Sequence, residues 1–60
     1  MDYTITINCD NAAFEENPAI EISRILKEFS ERLSEGALLD CKIRDVNGNV
    51  VGFAKTIDYE

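Results

Sequence analysis

The stretch RDVNGNVVG, Arg44–Gly52, decides how the C-terminal half of this chain folds. Asp45, Asn47 and Asn49 alternate around Gly48, as the oxygen donors do in the first half of a calcium loop. An EF-hand loop, however, needs glycine at its sixth position and a bidentate glutamate at its twelfth. Counted from Asp45, glycine falls fourth and the twelfth residue is Thr56. The spacing is that of a turn, and no metal site is expected. A two-residue Asn47–Gly48 turn would pair Arg44 with Val51 and Lys42 with Phe53, setting bases beside large apolar residues. A three-residue loop, Val46-Asn47-Gly48, pairs Ile43 with Val51 and Cys41 with Phe53. Slipping a strand by one residue exchanges its faces, so the second register is the expected one. It fits a type I turn closed by a glycine bulge, with Asp45 first and Gly48 left-handed.

Upstream of this hairpin the periodicity changes twice. In YTITINCD, Tyr3, Ile5, Ile7 and Cys9 alternate with Thr4, Thr6 and Asn8, the period-two pattern of a half-buried strand. A polar loop, DNAAFEEN, carries one large apolar residue, Phe14. Then NPAIEISRILKEFSERLSEG reads as an amphipathic helix. Asn17 suits the N-cap and Pro18 the first helical position. Ile22, Ile25, Leu26, Phe29 and Leu33 form one stripe at spacings of three and four. Gly36 stops the helix in the left-handed conformation, and Phe14 is positioned to fold over the first turn. In LLDCKIRD, Leu39, Cys41 and Ile43 share one side. In the last strand Val51, Phe53, Ile57 and Tyr59 are expected inward, with Val50, Gly52, Ala54, Thr56 and Asp58 outward. The expected fold is a single α+β domain over residues 1–60, of order β-α-β-β. It is a three-stranded antiparallel sheet of order 1-3-2 with the helix on one face.

Sixty residues bury only about 60% of the unfolded surface, so the core must be small; a hydrophobic fraction of 45% is still that of a globular chain. The start, MDYTITI, has no leader-like apolar run, and no segment has the roughly 20 apolar residues that cross a bilayer. With only two cysteines, the expectation is a protein without membrane contact, in a reducing cytoplasm. Cys9 and Cys41 read as small inward hydrophobes. In the 1-3-2 order a whole strand lies between them, about 10 Å, beyond disulfide reach.

Chemistry is absent from the pattern. There is no histidine, no glycine-rich phosphate loop, no Cys-x-x-Cys pair and no hydroxyl nucleophile motif. No enzyme, catalytic residue or cofactor is expected. Charge is the informative quantity. Twelve acids face six bases, and residues 1–23 hold Asp2, Asp10, Glu15, Glu16 and Glu21 with no base at all. Asp10, Glu15, Glu16 and Glu21 collect where the first strand ends and the helix begins, with Asp45 near the same end. Carboxylates there favour the positive helix terminus by about 0.3–1 kcal/mol each. Four without a base exceed what capping needs. Glu31, Glu35, Asp2, Asp58 and Glu60 make a second group at the opposite end. Such a body repels nucleic acid and membrane and is drawn to basic surfaces. The outward sheet face, with Val50, Gly52 and Ala54 between Thr4 and Thr6 on one side and Lys42 and Arg44 on the other, is the other candidate surface.

The segments DNAAFEENPAIEISRILKEFSERLSEG and IRDVNGNVVGFA resemble a group of very short proteins encoded by bacteriophages and prophages. Shared features are Asn17–Pro18 ahead of a helix ending at Gly36, and the Arg44–Gly52 hairpin. Some small acidic phage proteins of this kind are anti-CRISPR proteins. The resemblance therefore implies an inhibitor that binds a type I CRISPR effector and blocks target DNA. No binding motif carries over from it. The site set comes from charge: Asp10, Glu15, Glu16, Glu21, Glu28 and Glu31, expected to bind a basic nucleic-acid-contacting surface of a host protein. The chain itself is expected to be monomeric and to bind no nucleic acid directly. The alternative expectation is a phage adaptor acting through the open sheet face, as a homodimer or on another partner.

Overall fold

A computed structural model describes residues 1–36 and 40–59. The elements are β1 (Asp2–Ile7), one 3-10 turn (Ala12–Phe14), α1 (Pro18–Leu33), β2 (Cys41–Arg44) and β3 (Val50–Ile57). The three strands form one antiparallel sheet in the order β1-β3-β2, the order expected from the sequence. Leu39, expected inward ahead of β2, and Glu60, expected in the second acidic group, lie outside the described residues.

Helix α1 starts where its caps demand. The Asn17 side chain accepts from Ala19 N–H at 3.1 Å, and Pro18 occupies the first turn, where no amide donor is needed. Past its end Gly36 has φ +99°, the left-handed geometry expected there. Ile25 and Phe29 are buried, Ile22 and Leu33 are half-buried, and Leu26 at the margin of the stripe is 41% exposed.

The core comprises Phe14, Ile25, Phe29, Ile43, Val51 and Ala54, with Tyr3, Ile7, Cys9, Ala13, Ile22, Leu33 and Cys41 packed around it. Phe14 is the most enclosed side chain, 1% exposed, held by the 3-10 turn ahead of the helix. Burying it stabilises the fold by about 2–3 kcal/mol. Tyr3 on β1 stacks on Phe29 of the helix, ring centroids 6.3 Å apart. Cys9 and Cys41 are both half-buried, free thiols.

The hairpin turn forms as read. Gly48 N–H donates to Asp45 O at 3.0 Å, Asp45 N–H donates to Asn49 O at 2.9 Å, and Gly48 has φ +85°. Beyond the turn the expected register fails. Arg44 pairs with Val50, but Ile43 pairs with Gly52, Lys42 with Phe53 and Cys41 with Ala54. A bulge between Ile43 and Arg44 leaves Val51 as an extra residue on β3. The consequence is a change of faces. Val51 and Ala54 are buried, whereas Phe53, expected inward, is 46% exposed. Alternation from Ala54 sends Thr56 inward and Ile57 outward, opposite Asp2 on β1. Tyr59, also expected inward, lies past the strand end, 69% exposed, its hydroxyl donating to Asp2 Oδ2 at 3.0 Å.

Gly52 makes the bulge possible. A methyl group built there would sit 1.8 Å from the Thr6 carbonyl oxygen. The bulged strand thus presses its backbone onto β1, and only a residue without a side chain fits. Phe14 and Phe29 already fill the small interior, so the central sheet position facing the helix goes to Ala54, which lets α1 sit close.

Candidate binding surfaces

The polar residues of the hairpin form a lock. Asp45 is 5% exposed. Its Oδ1 accepts from the N–H groups of Asn47 and Asn49, each at 2.9 Å. Its Oδ2 accepts from Asn49 Nδ2 at 3.2 Å and from Asn11 Nδ2 at 2.7 Å. Asn11 also accepts from Ala13 N–H, so one side chain caps the 3-10 turn and ties it to the hairpin. Burial alone would push the Asp45 carboxyl up. The hydrogen bonds from Asn49, Asn11 and Asn47 outweigh it and hold the group below the usual carboxylate range. Both carboxylate oxygens of Asp45, first in the calcium-like alternation, are therefore engaged in shaping the turn. Among the described residues no cluster of three or more histidine, cysteine or acidic side chains could hold a metal ion.

Glu21 joins the same lock from the helix. It is 7% exposed. Its Oε2 accepts from Val46 N–H at 2.8 Å, and Arg24 grips both oxygens, Nε to Oε1 at 2.7 Å and Nη2 to Oε2 at 3.1 Å. The Arg24 hydrogen bond holds the Glu21 carboxyl below its ordinary pKa, against burial and the nearby Asp45 charge. The same guanidinium reaches Glu28 Oε2 at 2.9 Å. The signal for this was present in the sequence: Glu21, Ile25 and Phe29 are four apart, on the buried ridge of the helix.

The remaining acids of the charge-based set are all exposed, in two groups. Asp10, Glu15 and Glu16 lie on the segment leading from β1 into α1, with no ion pair to a base among the described residues. Glu28 and Glu31 follow on the helix, Glu31 about 20 Å along the axis from Pro18 at 1.5 Å per residue. Arg24 stands between the two groups, its charge already committed to Glu21 and Glu28. Five of the six named carboxylates thus face solvent, and Glu21 does not.

Three of the six bases, Arg24, Lys27 and Arg32, lie on α1 with Glu28 and Glu31, and the other three lie on the sheet. The outward sheet face carries Lys42 opposite Phe53, Arg44 opposite Val50, and Lys55 opposite Thr4. Lys55 Nζ sits 5.4 Å from the centre of the Phe53 ring, a cation–π contact. The expected open face of Val50, Gly52 and Ala54 is therefore different in kind: Ala54 is in the core, and Phe53 takes its place outside. The flanking Thr4, Thr6, Lys42 and Arg44 are where the sequence put them. A shallow groove of about 390 Å³ runs between α1 and β2, lined by Ile25, Glu28, Phe29, Arg32, Lys42, Ile43 and Arg44.

No family model, curated protein or solved structure matches this chain. Among the described residues no helix is long and apolar enough to cross a membrane.

Proposed function

We propose that this protein is a non-enzymatic, phage-encoded inhibitor of the anti-CRISPR kind. It binds a basic, DNA-contacting surface of a host type I effector through Asp10, Glu15, Glu16, Glu28 and Glu31. The observation that carries this reading is the separation of charge. The chain from Met1 to Ser23 contains no Lys or Arg, and among the described residues its exposed carboxylates form no ion pair. The bases of β2 and β3 stand on the outward sheet face instead. Glu21 supports the surface from within, by fixing Arg24 and the hairpin, and takes no direct part in binding.

A partner held by such a field associates fast at low salt and more slowly as salt screens the attraction, over about 8 Å at physiological ionic strength. The test is affinity capture from a CRISPR-bearing bacterial lysate at low and high salt. The control is a Glu15→Lys/Glu16→Lys/Glu28→Lys variant, which leaves Glu21 intact. Capture of an effector by the wild type alone, lost in high salt, is the expected result. Equal capture by the variant rejects the acidic surface.

A second reading rests on exposed Phe53 and Val50, 46% and 51% accessible, at the centre of the sheet face. It makes the chain an adaptor whose partner covers that face. Lys42, Arg44 and Lys55 would meet their own copies if two such sheets packed back to back, so the partner of this reading is a different, acidic protein.

A further inference from the structure

The groove between α1 and β2 shares only rim residues with the two readings, Glu28 with the first and Lys42 and Arg44 with the second. Strand β2 is at the edge of the sheet, with β3 as its one strand partner among the described residues. Its other side carries backbone donors and acceptors that a further strand could pair. Beside that side lies the groove of about 390 Å³, within the range of ligand clefts. Ile25, Phe29 and Ile43 form its floor. Its rim carries Arg32 from the helix and Lys42 and Arg44 from β2, while Glu28, its one carboxylate, is bound to Arg24. Ile25, Glu28, Phe29 and Arg32 of the helix line the groove across from β2.

We propose that the β2 edge takes an extended segment of an acidic partner protein, added as a fourth strand. The segment alternates apolar and acidic residues. Its apolar side chains turn inward beside Ile43, onto Ile25 and Phe29. Its carboxylates turn outward, directly across from Lys42 and Arg44. Successive side chains of a strand point to opposite faces, and β2 alternates in the matching way: Lys42 out, Ile43 in, Arg44 out. Charge chooses the occupant. A second copy of β2 pairing with the first would bring Lys42 and Arg44 against the same cations, and like charges directly opposite are destabilising. The two edge cations thus reject self-pairing and select an acidic strand.

The probe is a fluorescein-labelled peptide in which glutamate and valine alternate over seven residues, titrated by fluorescence anisotropy. Three comparisons accompany it: a twin N-methylated at alternate backbone nitrogens, a twin with lysine for glutamate, and a labelled oligo-thymidine of equal charge. Binding of the first probe alone is expected. The Lys42→Glu/Arg44→Glu double variant should weaken it by about tenfold, two attractive cross-strand pairs becoming repulsive. Phe53→Ala, on the outward face, should leave it unchanged. Circular dichroism of both variants checks that these exposed substitutions leave the fold intact. Failure of the acidic peptide to bind overturns the proposal. So does equal binding of the N-methylated twin, which would make the attraction charge without strand pairing, or of the oligonucleotide, which would make the site a general polyanion surface. Of the groove's lining only Glu28 belongs to the acidic surface of the proposed inhibitor, and none of the residues varied here does, so either idea can fail without the other.

Discussion

Replacing Gly52 by alanine is the sharpest test of the bulged sheet. The new methyl would lie 1.8 Å from Thr6 O and 2.8 Å from the Thr6 carbonyl carbon, both backbone atoms that no rotamer change can move. Restoring ordinary contact requires β1 and β3 to part by roughly 1.5 Å. Ladder bonds near Gly52, among them Asn8 N–H to Val51 O at 2.7 Å, cannot survive such a shift. Losing two or three bonds at about 1 kcal/mol each gives a cost of about 2–3 kcal/mol. A 60-residue domain has only about 3–9 kcal/mol of stability in total, so the variant should be close to unfolding. Urea unfolding followed by circular dichroism measures this directly. Gly48→Ala is the internal control. It meets nothing within 4 Å and should lose only the left-handed backbone penalty, about 1–2 kcal/mol. A Gly52→Ala protein within about 0.5 kcal/mol of wild type, the range of an ordinary surface change, would refute the close approach and the bulge with it.

Other perturbations reach different parts of the account. Phe14→Ala should cost about 3–5 kcal/mol in the same urea assay, because the side chain is enclosed between the 3-10 turn and the helix. The Glu21 and Asp45 carboxyls have folded-state pKa values below their unfolded ones. Their contribution is therefore complete above the ordinary carboxylate range, about 4, and is lost as pH falls through the depressed values. The urea midpoint should hold from neutral pH down to about 5 and drop below about 4, with a shallower acid limb in Asp45→Asn. A midpoint that rises on acidification would contradict this. Glu21→Gln should destabilise the hairpin while Glu15→Gln leaves it untouched, read as the amide exchange of Val46 by NMR.

The parts of this fold that follow local rules were legible in the sequence. Asn17–Pro18 and Gly36 bound the helix, Asp45 and Gly48 make the turn, and strand order follows from the connections. The register of β3 was not legible. Strict alternation cannot reveal a bulge, and Val51, Gly52, Phe53 and Ala54 read equally well with either aromatic or alanine inward. The one hint was Gly52, a residue that weakens a central strand unless a backbone must come close. The site was half legible. Charge counting identifies exposed acids at Asp10, Glu15, Glu16, Glu28 and Glu31, but it treats all carboxylates alike. Glu21 departs from the set because helical phase, which counting ignores, places it on the core ridge beside Val46 N–H and Arg24. Alternation alone put Lys42 and Arg44 on the outward sheet face; that Lys55 joins them depends on the register of β3, and so it emerged only with the bulge.

The central claim is that the acidic surface occupies the place of DNA on its partner. The most direct measurement immobilises this protein with its captured effector, then adds target duplex in increasing concentration at fixed ionic strength. Mutual exclusion is predicted: duplex releases the effector, and excess protein prevents duplex binding, with the Glu15→Lys/Glu16→Lys/Glu28→Lys variant unable to do so. A stable ternary complex of protein, effector and duplex would contradict the account.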